Sequence, residues 1–180
     1  MAVLRTLHRL MLGGLVGGAL LVCGAAPTWG GTVRVGDALP AVTFSDWQSG
    51  SVRLVAPSAG VLIIDFWASW CQPCRAALPE LNAIAQRYAA DDLQVVAVNL
   101  DKAQPSAEAF IKTYVPTAAM TLLRDPGGVG LATYGASGIP ALYVVDHRGI
   151  VRLVESGFTV EKLREVEGLV SKLLSRGDSP

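Results

Sequence analysis

The sequence lacks several features that mark common classes of protein. Its 15 basic and 15 acidic residues cancel and form no long block of like charge, so a basic surface for nucleic acid is not expected. It has two histidines and three cysteines among 180 residues, without the second cysteine pair that a four-ligand structural zinc site would need. No metal or other cofactor is therefore expected. A hydrophobic content of 51% against 17% charged residues excludes disorder.

The first 26 residues have the pattern of an export signal. Two arginines precede an uncharged apolar run at 10–22, and small residues follow at 24–26. The run is shorter than the roughly 20 residues that span a bilayer. We expect residues 1–26 to be a cleaved signal peptide and the protein to be periplasmic or otherwise extracytoplasmic. An uncleaved anchor and lipidation at Cys23 are the alternatives.

Once that segment is removed, Cys71 and Cys74 are the remaining cysteines. An exported domain with one close pair has no disulfide framework, so a redox-active dithiol is favoured over a structural disulfide. The pair encloses Gln72-Pro73, follows an apolar strand at 61–67 and opens a helix. The free N–H groups and positive dipole end of a helix favour a thiolate there. Cys71 is predicted to be the exposed nucleophile, and Cys74 the resolving thiol.

The rest of the chain alternates between strands and helices, which predicts an α/β domain with a mixed sheet. Strands are predicted at 42–47, 51–55, 61–67, 93–100, 120–123, 141–145 and 150–155. Helices are predicted from Cys74 to about Tyr88, at 107–114, at 129–134, and after Thr159 as N-cap. Gln104 or Ser106 is expected to cap the second helix.

Asp65 is a carboxylate in a strand that is otherwise apolar. Burying it is costly unless it is neutral, solvated or paired. We interpret it as an acid with a raised pKa that moves the proton of Cys74 during the exchange reaction. The alternative is a residue at the end of the strand that faces water.

At these residues the sequence resembles the thioredoxin superfamily, and more closely the exported TlpA/ResA/CcmG-type thiol–disulfide oxidoreductases. The segment 65–74 matches the superfamily signature, and Pro79 matches the proline that kinks its active-site helix. The segment 134–140 matches the approach to the family's cis-proline, and Pro140 follows Cys74 by 66 residues.

The resemblance covers roughly residues 33–175 and implies a thioredoxin-like fold, with a mixed central sheet flanked by helices. The predicted hairpin at 42–55 fits the N-terminal β-hairpin of the TlpA-like branch. The helix and strand at about 105–123 fit its central helix–strand insertion.

The resemblance also implies roles for individual residues. Cys71 would attack a substrate disulfide and Cys74 would resolve the mixed disulfide. A cis bond before Pro140 would hold the backbone of Ile139 open to an extended client segment. Trp70 would be a surface platform for that client, although a core position is its alternative.

Four residues depart from the patterns of related proteins. Ala77 stands where the TlpA/ResA branch commonly has an acidic residue, and Ala97 where thioredoxins often have a lysine beside the buried acid. Ile64 and Ala68 stand where peroxiredoxins, which share the fold, need a proline and a threonine or serine. The departures at Ala77 and Ala97 concern the rate and poise of exchange, whereas Ile64 and Ala68 argue against a peroxiredoxin.

The resulting hypothesis is a monomeric reductase of disulfides in partner proteins. The resemblance suggests, as clients, the haem-attachment cysteines of apocytochrome c or the copper-site cysteines of oxidases, and a membrane thiol donor of the DsbD/CcdA type. Neutral Gln72 and Pro73 between the cysteines favour a reductant over a strong oxidant. A disulfide-forming oxidase and a non-catalytic client-binding module are the alternatives.

Overall fold

The computed structural model describes residues 32–157 and 159–177, in which seven strands and four helices are present. The expected leader at residues 1–26 lies outside this part of the chain. The strands are β1 Val42–Ser45, β2 Ser51–Leu54, β3 Val61–Trp67, β4 Leu93–Asn99, β5 Thr121–Arg124, β6 Ala141–Asp146 and β7 Val151–Ser156. The helices are α1 Cys74–Arg87, α2 Gln104–Tyr114, α3 Val129–Thr133 and α4 Val160–Gly177.

All seven strands form one mixed sheet in the order β2-β1-β5-β4-β3-β6-β7. The three inner strands β5, β4 and β3 run parallel, whereas β6, β7 and the β1–β2 hairpin pair antiparallel. Because β6 runs against β3, the end of β3 and the beginning of β6 lie at the same edge of the sheet. The predicted thioredoxin-like fold is confirmed, including the N-terminal hairpin and the inserted α2 and β5.

Strand β3 is buried along its whole length and divides the core in two. Side chains alternate between the faces of a strand. One face contributes Val61, Ile63 and Trp67 to a cluster with α1, α2 and α4. The other contributes Leu62, Ile64 and Phe66 to a cluster with the β1–β2 hairpin and the α3 segment. Each fully buried aliphatic side chain stabilises the fold by about 1.5–3 kcal/mol, so β3 contributes strongly to the hydrophobic core.

The predicted cap of α2 is wrong. The helix begins at Gln104, three residues earlier than expected, and its N-cap is Ala103 with no side-chain hydrogen bond. Pro105 in the first turn is tolerated because its missing N–H would have no helical partner there. The Gln104 amide instead donates to the Trp47 carbonyl at 3.2 Å and accepts from Arg124 at 3.1 Å. Gln104 therefore ties the insertion to the hairpin.

None of the helices within residues 32–157 and 159–177 combines the length and apolar composition that crossing a membrane requires.

Candidate active site

A disulfide joins Cys71 and Cys74, whose Cα atoms lie 5.3 Å apart. Cys71 belongs to the loop after β3, and Cys74 is the first residue of α1, with Pro73 as N-cap. The amide N–H of Cys74 points at Cys71 Sγ, 3.3 Å away. The first turn of α1 has no acidic residue to oppose charge on that sulfur. The predicted meeting of the first sulfur with a free helical N–H is thus confirmed.

Cys71 is less accessible than the sequence predicted. It is 4% exposed and Cys74 is 1% exposed, so Cys71 is the more accessible of two buried residues. Its side chain is bonded to Cys74 and packs in the cluster that includes Trp67 and Ala68, with Ile139 at its margin. The expectation of an exposed sulfur is wrong for the oxidised protein, because these neighbours cover it.

Asp65 lies in the middle of β3 and is 1% exposed, so the alternative of a residue that faces water is wrong. Strand alternation places it on the face of Ile63 and Trp67, which is the face that packs against α1. Burial raises the pKa of Asp65 well above its usual range, and its Oδ1 has no hydrogen-bond partner among the described residues. The raised pKa that the sequence predicted for Asp65 thus follows from its burial.

The peptide bond between Ile139 and Pro140 is cis, as predicted. Pro140 is buried directly before β6, and the pairing of Phe66 with Ala141 brings it beside the end of β3, from which the Cys71 loop departs. Within the described part of the chain, neither the amide nor the carbonyl of Ile139 makes a hydrogen bond to another backbone group. These two groups are the kind that an extended peptide uses when it adds to a backbone edge.

The two tryptophans near the cysteines have opposite environments. Trp70 is 67% exposed, so the alternative of a core position is wrong. Trp67 is fully buried, and its ring lies 4.9 Å from that of Phe110 between centroids. Trp70 therefore offers an aromatic surface immediately before Cys71.

A hydrogen-bonded group beside the cysteine loop was not anticipated. The Asp101 carboxylate, 4% exposed, accepts from the Ser69 amide and the Ser69 hydroxyl, each at 2.8 Å. It also accepts from the Asn99 side-chain amide at 2.8 Å. The signal in the sequence was the pair of polar residues Asn99 and Asp101 at the end of an apolar strand.

Ala77 and Arg75 lie beside the cysteine pair, whereas His147 lies far from it. Ala77 is 2% exposed on the buried side of α1, and Arg75 is exposed in the first turn of the same helix. His147 lies in the exposed turn between β6 and β7, at the opposite end of β6 from Pro140. No group of three or more potential metal ligands occurs in the described ranges.

A bonded cysteine pair at a helix start, a buried acid and a cis-proline on this sheet define a thiol–disulfide oxidoreductase of the thioredoxin-like class. The comparisons with known proteins agree. Residues 35–154 match the AhpC/TSA family, and the chain belongs to that family.

One relative of the chain is named as thioredoxin-like, and another is named for thiol–disulfide chemistry. It is 34% identical to the thioredoxin-like protein YneN of Bacillus subtilis over 107 residues, which is 58% of this chain and 61% of YneN. It is 23% identical to the thiol-disulfide oxidoreductase ResA of Bacillus thuringiensis over 134 residues, which is 74% of this chain and 76% of ResA.

A solved structure gives the same result at higher coverage. The structure is of a Chlorobium tepidum protein assigned as the thiol:disulfide interchange protein DsbE. It superposes with a TM-score of 0.73 and 34% identity, covering 79% of this chain and 99% of that one.

Proposed function

We propose that this protein reduces disulfide bonds in partner proteins outside the cytoplasm. The observation that carries the proposal is the contact between the Cys74 amide and Cys71 Sγ at the start of α1, 3.3 Å long. This contact seats Cys71 Sγ where a thiolate is favoured, with its partner Cys74 as the first residue of α1.

The reaction consists of two exchanges. The Cys71 thiolate attacks one sulfur of the client disulfide, a mixed disulfide forms, and the other client sulfur leaves as a thiolate that takes a proton from solvent. Cys74 then loses its proton and attacks Cys71 Sγ, which restores the Cys71–Cys74 bond and releases the second client thiolate. Two electrons and two protons pass to the client in total. A thiol donor must afterwards reduce the protein.

Asp65 would handle the proton of the second exchange. Its ionised carboxylate accepts the proton of Cys74 and then returns it to the departing client sulfur. Because burial raises its pKa, Asp65 is a stronger base than an exposed aspartate when it is ionised.

The surroundings of the pair favour a reductant. Gln72 and Pro73 are neutral, and Pro73 has no N–H to give the sulfur a further hydrogen bond. A negative charge on nearby Asp65 would disfavour the thiolate. We expect a reduction potential near that of reducing thioredoxins, about −270 mV, and far from the roughly −120 mV of a strong oxidant. Equilibration with glutathione measures it, and a value near −120 mV would support the oxidase alternative instead.

The clients would present an extended segment to the Ile139 backbone and an apolar group to Trp70. Haem-attachment cysteines of apocytochrome c and copper-site cysteines of oxidases are the candidate clients, and a membrane donor of the DsbD/CcdA type is the candidate reductant. The leader expected at residues 1–26 supports export. We propose a monomer that acts at this location.

Client trapping tests the proposal. In the full chain, Cys74→Ser removes the resolving thiol, so client proteins should accumulate as mixed disulfides on Cys71 in the native cell. The matched control, Cys71→Ser with Cys74→Ser, should capture none. The proposal fails if the single variant captures no more than the double variant and the unmodified protein does not reduce insulin.

A thiol titration separates the enzyme from a non-catalytic binding module. In such a module the alkylation of Cys71 would have the midpoint of an ordinary cysteine, about pH 8.5, and no turnover would be observed. The reductase predicts a midpoint below that value together with turnover of insulin.

A further inference from the structure

We propose that Asp101 is a positioning residue that holds the Cys71 loop in its reactive geometry through Ser69; this inference rests on the proposed function. The carboxylate is buried after β4, and Ser69 lies two residues before Cys71. The two hydrogen bonds from Ser69 to Asp101 span 32 positions of sequence at 2.8 Å each.

The loop has few other attachments to the sheet. At its beginning, the Leu100 amide donates to the Trp67 carbonyl at 2.9 Å, which is the last backbone bond that continues the β3–β4 pairing. At its end, the Cys71 amide donates to the Ala68 carbonyl at 3.1 Å, within the loop itself. Between these points the Ser69 amide donates to the Asp101 carboxylate, where a residue of a strand would donate to a neighbouring strand.

The orientation of the Asn99 side chain requires a hydrogen-bond acceptor in the side chain of residue 101. The Asp101 amide donates to Asn99 Oδ1 at 3.0 Å, so the Nδ2 group of Asn99 must face the carboxylate, to which it donates at 2.8 Å. Asp101 Oδ2 therefore accepts from two fixed donors, the Ser69 amide and the Asn99 amide group. Its Oδ1 faces the Ser69 hydroxyl, which can either donate or accept.

This arrangement allows two substitutions at Asp101 with opposite consequences. Asp101→Ala removes all three hydrogen bonds. Asp101→Asn can retain all three, because its oxygen can accept from both fixed donors while its amino group donates to the Ser69 hydroxyl. Asp101→Asn also removes the charge, so the pair separates the hydrogen bonds from the electrostatic effect of the carboxylate.

The consequence for chemistry follows from the Cys74 amide contact. That contact requires Cys71 Sγ to lie at the N-terminus of α1, and the position of Sγ depends on the backbone from Ser69 to Cys71. When Asp101 no longer holds Ser69, Sγ should spend less time near the helix terminus. The thiolate then loses part of its stabilisation.

The test is the pH dependence of Cys71 alkylation in the reduced full chain, with Cys74→Ser as the common background. Asp101→Ala should raise the midpoint by about one pH unit and slow alkylation at neutral pH about ten-fold. This is the effect expected when the thiolate loses one hydrogen bond, here that from the Cys74 amide. Asp101→Asn should react within about two-fold of the parent, or faster, since it keeps these bonds and removes a like charge.

Asp146 provides a matched control. It is also 4% exposed, and it accepts from the amides of Arg148 and Ile150 at 2.9 and 3.0 Å, at the opposite end of β6 from Pro140. Asp146→Ala should lower the melting temperature and leave the alkylation midpoint unchanged. If Asp101→Ala does not fold, Ser69→Ala takes its place in the test. Ser69→Ala removes one of the three hydrogen bonds, so it should slow alkylation about three-fold, less than the ten-fold expected of Asp101→Ala.

The positioning role is overturned if folded Asp101→Ala, or Ser69→Ala in its place, keeps the parent midpoint and rate. It is also overturned if Asp101→Asn is as slow as Asp101→Ala, since the retained hydrogen bonds would then not sustain the reactivity of Cys71. A failure of the proposed function differs visibly from both. In that case Cys71 of the unmodified protein would be alkylated with the midpoint of an ordinary cysteine. The protein would also not reduce insulin, whatever the variants did.

Discussion

Asp65 lies directly opposite Ala97 in the parallel pairing of β3 and β4. Both residues are interior, at 1% and 0% exposure. Where thioredoxins often carry a lysine, this chain has a methyl group, so the carboxyl faces no cation across the strand pair. Burial alone therefore sets the direction in which the pKa of Asp65 moves, which is upward.

The first prediction concerns stability. Above the pKa of an unfolded aspartate, about 3.9, the folded protein keeps a proton on Asp65 that the unfolded chain has lost. Stability falls with rising pH wherever the folded state binds more protons, and this loss is complete above the folded pKa. Asp65→Asn does not titrate, so between acid and neutral pH it should gain about 1 kcal/mol or more in stability relative to the parent, since a shift of one pKa unit is about 1.4 kcal/mol. Urea unfolding of the oxidised protein across the pH range measures the difference.

The control for this experiment is Asp91→Asn, because Asp91 is exposed. Its stability should follow that of the parent at every pH. The stability difference between Asp65→Asn and the parent could instead be the same below pH about 3.9 and at neutral pH. It would then come from packing, and titration of Asp65 would not explain it.

The second prediction concerns the two steps of exchange. With an aromatic disulfide reagent, attack by Cys71 releases the first coloured thiolate, and resolution by Cys74 releases the second. Asp65→Asn should slow the second release by about ten-fold or more, since a positioned base contributes at least that much, and should change the first release little. Stopped-flow absorbance resolves the two phases. If the first and second releases slowed equally, Asp65 would have a structural role only.

The third prediction concerns Trp70, which is 67% exposed. Trp70→Ala should leave stability within about 0.5 kcal/mol, as is usual for surface positions. It should raise KM for a protein disulfide about ten-fold or more, because an exposed tryptophan at an interface often carries 2 kcal/mol or more of the binding energy. Reduction of a small-molecule disulfide should be unchanged.

Val35 provides the comparison for Trp70, since it is an apolar side chain of similar exposure, 62%. Val35→Ala should affect neither substrate. A parallel loss of activity toward the small disulfide in Trp70→Ala would instead indicate that the tryptophan acts on Cys71 itself.

The fourth prediction compares two buried tyrosines. The Tyr134 hydroxyl donates to the Pro40 carbonyl, and the Tyr143 hydroxyl donates to the Tyr134 carbonyl, each at 3.2 Å. That Tyr134 carbonyl also accepts from the Val33 amide at 3.1 Å, so it keeps a partner when Tyr143 is changed. Tyr134→Phe should therefore cost about 1–2 kcal/mol, and Tyr143→Phe about 0.5–1 kcal/mol.

Thermal unfolding measures both costs, and the order of the two variants is the decisive result. Burial raises the pKa of Tyr143 to about 12 and raises that of Tyr134 as well, so both hydroxyls remain donors across the usual pH range. If Tyr143→Phe were the more destabilising, the Val33 bond would not compensate as described.

Local patterns account for the parts of the fold that were predicted. Strand β3 was predicted with its observed bounds because residues 61–67 are apolar at nearly every position and the turn residues at 57–60 precede them. The cysteine pair and the segment before Pro140 lie in short, specific motifs. Their meeting at one sheet edge follows from the antiparallel pairing of β6 with β3, which the resemblance to a known fold implied.

The parts that were missed depend on distant partners. Asp101 and Ser69 are 32 positions apart, and nothing near either residue identifies the other. Gln104 suggested a helix cap by its type and place, but its side chain bridges Trp47 and Arg124 instead. The burial of Cys71 could not be predicted either, because it depends on how the Ile139 segment packs against the loop.

The position of β3 between β4 and β6 also determines how much of the chain the site requires. The thiols emerge with residue 74, but the two strands that flank β3 are completed only at Asn99 and Asp146. A chain that stops before the end of β6 therefore lacks part of the strand that follows Pro140. The sulfurs and the backbone groups of Ile139 can be neighbours only when both strands that flank β3 are present.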